Sequence, residues 1–170
     1  MTIHDTIAVA VALVACGFDL RTRRIPNALT LGAALLAFGV SALTGGASQA
    51  GSSLIGWIAA AAFWLPIYAL GGMGGGDVKL IAAIGAWLGP ADVIHAALYA
   101  AIAGAAMALV LAIVRGCALQ TFQNLRLLLV HWRIAGFASY PELTLATAKG
   151  PRLAYAVPIL AGTLAAIWLR

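Results

Sequence analysis

With 170 residues, 64% of them hydrophobic and only 9% charged, and a mean hydropathy of +1.02, the chain lies far outside the roughly half-apolar composition of soluble domains. That excludes a water-soluble globular protein and describes one that lives in a bilayer. The formal net charge of +5 does not indicate nucleic acid as a partner, because the basic residues stand singly or in one short cluster, Arg21, Arg23 and Arg24, between apolar runs.

The apolar runs lack the period of two that a membrane barrel needs, so each is read as a helix that satisfies its own backbone in lipid. The expected fold class is all-α, a polytopic helical bundle of about six transmembrane helices, with residues 1–170 as a single membrane-embedded domain. Segment one covers about 3–20. No basic stretch or small-residue cleavage pattern marks it as a signal peptide, so it is expected to be retained. Segment two, about 28–43, is entered through Ile25-Pro26-Asn27, with Asn27 as its expected cap. Residues 44–53, rich in Gly, Ser and Ala, are expected to form a flexible loop, and segment three follows over about 54–70 with a kink at Pro66. The run Gly71-Gly72-Met73-Gly74-Gly75-Gly76 then interrupts the helix before Asp77. Segment four, 78–88, stops at Gly89-Pro90, and segment five runs over about 92–114. Residues 115–152 alternate polar groups such as Gln120, Gln123, Asn124, Arg126, His131 and Arg133 with Leu, Phe and Trp, the pattern of an interfacial amphipathic segment. Segment six covers about 153–169.

Nine of the ten basic residues fall after segments one, three and five: Arg21, Arg23, Arg24, Lys79, Arg115, Arg126, Arg133, Lys149 and Arg152. The positive-inside rule makes those connections cytoplasmic and puts both termini outside. Asp19, at the inner end of segment one, and Asp77, at the inner start of segment four, then share one face of the membrane. An acid at the edge of hydrocarbon is costly and is by default a functional group. Two carboxylates held close share a proton, so that one acts as base on a water while the other polarises a carbonyl. Glycines before Asp77 leave space for an extended substrate backbone. At about 1.5 Å per residue, 6–19 and 77–88 each fall short of a hydrocarbon core of about 30 Å, which places both acids at similar depth in a water-filled pocket open to the cytoplasm.

Two motifs also carry a resemblance. Asp19-Leu20-Arg21-Thr22-Arg23-Arg24-Ile25-Pro26-Asn27 is similar to the first-acid motif of the type IV prepilin peptidases, and Gly74-Gly75-Gly76-Asp77-Val78-Lys79-Leu80 to their GxGD motif with its Val-Lys-Leu tail. Ala154-Tyr155-Ala156-Val157-Pro158 resembles the opening of that family's last helix. The resemblance implies a membrane aspartic peptidase that removes the leader from prepilins and pseudopilins at the cytoplasmic face of the inner membrane. It makes Asp19 and Asp77 the catalytic pair, with Gly74, Gly75, Gly76 and Lys79 as substrate-side or supporting groups, and it calls for no cofactor or metal. The larger members carry paired CxxC motifs and an N-methyltransferase activity; Cys16 and Cys117, the two cysteines here, form no CxxC. The chain therefore resembles the short, peptidase-only form associated with tight-adherence (Flp-type) pili.

Blander readings accompany these residues. Asp77 suits a helix N-cap, and Asp19 alone suits an acid paired with Arg23. Lys79 and the Arg21–Arg24 cluster suit topology and lipid-phosphate contacts. Cys16 and Cys117 are read as small apolar fillers, and His4, His95 and His131, without ligand spacing, as structural. Asp5 and Asp92 are placed across the bilayer from the site and expected to be inert; Glu142 is the one other acid on the inner face. A small transporter or proton-relay subunit using Asp19 and Asp77 beside a broken helix is the alternative function, and a non-enzymatic assembly factor a third.

Overall fold

The first turn of the chain closes a capping box: the Thr2 hydroxyl accepts the Asp5 N–H at 3.2 Å, and the Asp5 carboxylate accepts the Thr2 N–H at 2.6 Å. The helix so started is α1 (Ile3–Thr22), and among the described residues (1–138, 140, 143–144 and 153–170) the computed structural model adds five more helices and no strand. They are α2 (Asn27–Ala69), α3 (Gly75–Leu88), α4 (Pro90–Val114), α5 (Ala118–Ala135) and α6 (Ala156–Trp168). By length and composition α1, α2 and α4 can each cross a membrane. The six expected apolar segments correspond to α1, two arms of α2, α3, α4 and α6.

The region expected to be a loop at 44–53 is helical. One residue, Gly46, leaves helical geometry at φ 63, ψ −154, a conformation open to glycine at little cost. As one rod α2 would reach about 65 Å, twice a bilayer core of about 30 Å, so the break divides it into two membrane-length arms. The arms flank α3 in opposite directions. Asn27 lies beside Lys79 and Ala33 beside Trp87, whereas Ser53 lies beside Ala86 and Tyr68 beside Gly75. The backbone break falls at Gly46 and not at Pro66, which sits in the last turn before Leu70. Asn27 does not cap either. Pro26, extended at φ −62, ψ 134, holds the cap position, and the Asn27 carboxamide is left to accept a hydrogen bond from Lys79 Nζ at 3.0 Å.

α3 is the centre of the bundle: Val78 and every residue from Leu80 to Trp87 are buried, as expected of a helix that is apolar all round. Around it small residues face inward and large ones outward. Ala8, Ala12, Ala15 and Asp19 form the buried stripe of α1, and Ser53, Gly56, Ala60 and Trp64 that of the second arm of α2. Leu13, Leu35, Leu36, Ile58, Ile102 and Leu109 are exposed. This is the arrangement of helices that associate in lipid, where packing of small residues replaces the hydrophobic effect. A Cβ on Gly56 would lie 2.2 Å from the Gly85 carbonyl oxygen, and one on Gly162 2.4 Å from both the Ala96 oxygen and the Ala100 nitrogen, so α2 meets α3, and α4 meets α6, at backbone distance. α5, within the expected amphipathic segment, buries none of its residues. Glu142, Lys149 and Arg152 lie outside the described residues.

Candidate active site

α1 ends where Arg23 turns left-handed (φ 54) and donates its backbone N–H to the Asp19 carbonyl at 3.0 Å. The buried alanine stripe of α1 carries Asp19 inward, so its side chain is 6% exposed. From Arg23 the chain passes over the bundle end through Ile25 to α2. On the opposite wall, Gly71 at φ +77 releases the chain from α2, the buried Met73 anchors it, and α3 begins at Gly75 after the cap residue Gly74. Asp77 is thus in the first turn of α3 and is not its cap; its backbone N–H bonds the Gly74 carbonyl at 3.2 Å.

Each glycine before Asp77 answers to a neighbour. A Cβ on Gly74 would stand 3.0 Å from Asp77 Oδ2, one on Gly75 3.3 Å from the Tyr68 ring, and one on Gly76 3.4 Å from Ile25 Cβ. The run lets the first turn of α3 nest between Tyr68 and Ile25 while the Asp77 carboxylate folds back over Gly74.

The two acids open on one cavity of about 500 Å³, lined also by Arg23, Arg24, Ile25, Asn27, Tyr68, Met73, Leu153 and the three glycines. They are near enough for their charges to interact. Sequence reasoning brought Asp19 and Asp77 to one end of the bundle; it missed the group that holds Asp19. Asp19 Oδ2 accepts the backbone N–H of Ala156, the first residue of α6, at 3.1 Å. The preceding residue, Tyr155, packs edge-on against Trp64 with ring centroids 5.7 Å apart, and its hydroxyl lies against Gly104. The Ala154–Pro158 pattern was the available signal.

Lys79, two residues beyond Asp77 on α3, is outside the cavity lining but bonded to Asn27, which is part of it. Asp5 and Asp92 gather at the far end of the bundle, where both pair with Arg170. They lie away from the carboxylate cavity, as expected, and there tie α1 and α4 to Arg170, two residues beyond α6. His4 packs against Trp87, and His131 against Tyr140.

The model of the type IV leader peptidase family matches residues 6–109, well over half of the chain and a span that includes both Asp19 and Asp77. The chain belongs to the type IV leader peptidase family. Among curated proteins it is similar to the prepilin leader peptidase/N-methyltransferases of Burkholderia pseudomallei strains 1026b and K96243, each 38% identical over 109 residues. That match covers 59% of this chain and 35% of each relative, so the chain aligns with about a third of the length of the proteins it matches. No solved structure matches.

Proposed function

We propose that this protein is an aspartic endopeptidase that removes the leader of type IV prepilins and pseudopilins of the Flp type, with Asp19 and Asp77 as its catalytic pair. The observation that carries this reading is the shared cavity: two carboxylates 58 positions apart, on different helices, face one space at the same end of the bundle, within the span matched by the family.

One carboxylate takes a proton from water as the water oxygen bonds to the scissile carbonyl carbon. The other, protonated, donates to the carbonyl oxygen. Collapse of the tetrahedral intermediate breaks the C–N bond as a proton passes to the leaving nitrogen. The Ala156 N–H can only donate, and so holds one oxygen of Asp19 in place while the other stays available. The glycine run lets the first turn of α3 pack closely enough on Tyr68 and Ile25 to hold the Asp77 carboxylate at the cavity, where the substrate peptide would lie. Arg23, Arg24 and Lys79 at or beside the cavity, with Arg21 one turn back on α1, support a cytoplasmic opening under the positive-inside rule, with the N-terminus outside.

The test is co-expression with a candidate prepilin, following leader removal by mass for the wild type and for Asp77→Asn. The same spectra read a second expectation. A pilin processed by these 170 residues alone, which hold two cysteines and no CxxC, is expected to carry a free, unmethylated N-terminus; a gain of one methyl with no other enzyme acting would remove the peptidase-only reading.

A further inference from the structure

A second opening, which shares Asn27 with the carboxylate cavity, lies on the flank of the bundle between the two arms of α2 and α3. It is a groove of about 320 Å³ lined by Asn27, Thr30, Leu31, Ala34, Trp57 and Lys79, within the range of about 300–1,000 Å³ typical of ligand sites. Its chemistry is divided along its length. At the cationic end Lys79 Nζ meets the Asn27 carboxamide at 3.0 Å, and the Thr30 hydroxyl is occupied by the Asn27 carbonyl at 3.2 Å. Towards mid-bundle the walls are Leu31, Ala34 and Trp57, the first 61% and the last 38% exposed on the lipid-facing side.

Lys79 has a neutral partner; among the described residues no carboxylate forms an ion pair with it. Arg21, Arg23 and Arg24 add charge of the same sign at this end of the bundle. A cation with no carboxylate partner among the described residues, at the head of an apolar channel that opens sideways, complements a molecule with an anionic head and an apolar tail. Asn27 and Ala34 are about 10 Å apart along the helix, enough for the upper part of an acyl chain.

We propose that this groove binds an anionic phospholipid, its phosphate on the Lys79 ammonium and the Asn27 carboxamide NH2 and one acyl chain against Leu31, Ala34 and Trp57. The site includes neither acid, and its test reads lipid binding, so it stands or falls separately from the proteolytic reading although Asn27 lines both openings. Occupation bridges the first arm of α2 to the first turn of α3, which carries Asp77.

The full chain, solubilised in a mild neutral detergent, is examined by native mass spectrometry and thermal unfolding with dioleoylphosphatidylglycerol or dioleoylphosphatidylcholine. The expected result is retention of phosphatidylglycerol with about a fivefold preference, the factor one lysine supplies for an anionic lipid, and a higher unfolding midpoint than with phosphatidylcholine. Lys79→Gln abolishes the preference. Leu31→Trp, which fills the groove from an already exposed position, abolishes retention of either lipid and serves alone should Lys79→Gln fail to fold. Equal retention of the two lipids by the wild type, an unchanged preference in Lys79→Gln, retention by Leu31→Trp, or a midpoint raised as much by inorganic phosphate would each overturn the proposal. A groove that accepts a peptide helix in place of lipid would show no retention in the wild type, with the same consequence.

Discussion

Gly162→Ala isolates the contact that holds Asp19. The new methyl would stand 2.4 Å from backbone atoms of Ala96 and Ala100, which cannot rotate away, and ordinary contact begins near 3.4 Å. Relief therefore requires α6 to retreat from α4 by about 1 Å. Ala156 lies six residues earlier on the same helix, and its N–H reaches the Asp19 carboxylate at 3.1 Å; because α6 also packs on α1, a displacement of that size should break the geometry of this bond. A hydrogen bond to a charged group contributes about 1.5–3 kcal/mol. If that loss falls on the transition state, leader cleavage slows by about 10- to 100-fold, at about 1.4 kcal/mol per factor of ten. The assay is the initial rate of prepilin cleavage by purified protein, normalised to folded protein from gel filtration. Gly39→Ala is the control, because a Cβ there meets nothing within 4 Å, and it should cleave at the wild-type rate. A Gly162→Ala protein that accumulates normally and cleaves within twofold of wild type would refute the link from α6 packing to Asp19.

Arg170→Ala should lower the thermal midpoint more than Asp92→Ala, because it leaves Asp5, 2% exposed, without its cation, whereas Asp92 is 25% exposed. Unfolding scans decide the order, and equal effects would mean that the cluster does not tie the helices. Cysteines at positions 19 and 77 should react with a membrane-impermeant thiol reagent from the cytoplasmic side, more slowly than a cysteine at position 23, and not from outside. Fast, equal labelling at all three would place the acids at the surface, and labelling from outside would overturn the orientation.

The parts legible in the sequence were those set by single-helix physics. Apolar runs located the helices, and the positive residues and the two motifs placed Asp19 and Asp77 at a common end. What escaped depended on neighbours distant in sequence. The 44–53 stretch has the composition of a loop, yet one left-handed glycine makes the turn and the flanking residues continue as helix against α3. Asn27 has the chemistry of a cap, but Pro26 takes that position and Lys79, 52 residues on, claims the side chain. The Ala156 N–H that meets Asp19 is a backbone group 137 residues away and leaves no trace in side-chain pattern. Asp5 and Asp92 carried no signal of a shared partner, because Arg170 reaches both only once α6 has packed.

The most direct measurement is cleavage of a co-expressed prepilin by Asp19→Asn, Asp77→Asn and the double variant, each at wild-type abundance in the membrane, with the pilin weighed by mass spectrometry. An amide keeps the shape of the acid but cannot share its proton, so each single change should abolish leader removal, and the double variant should be no worse than either, as groups acting as a unit behave. Appreciable cleavage by either single variant would remove that carboxylate from the mechanism and contradict the two-acid site.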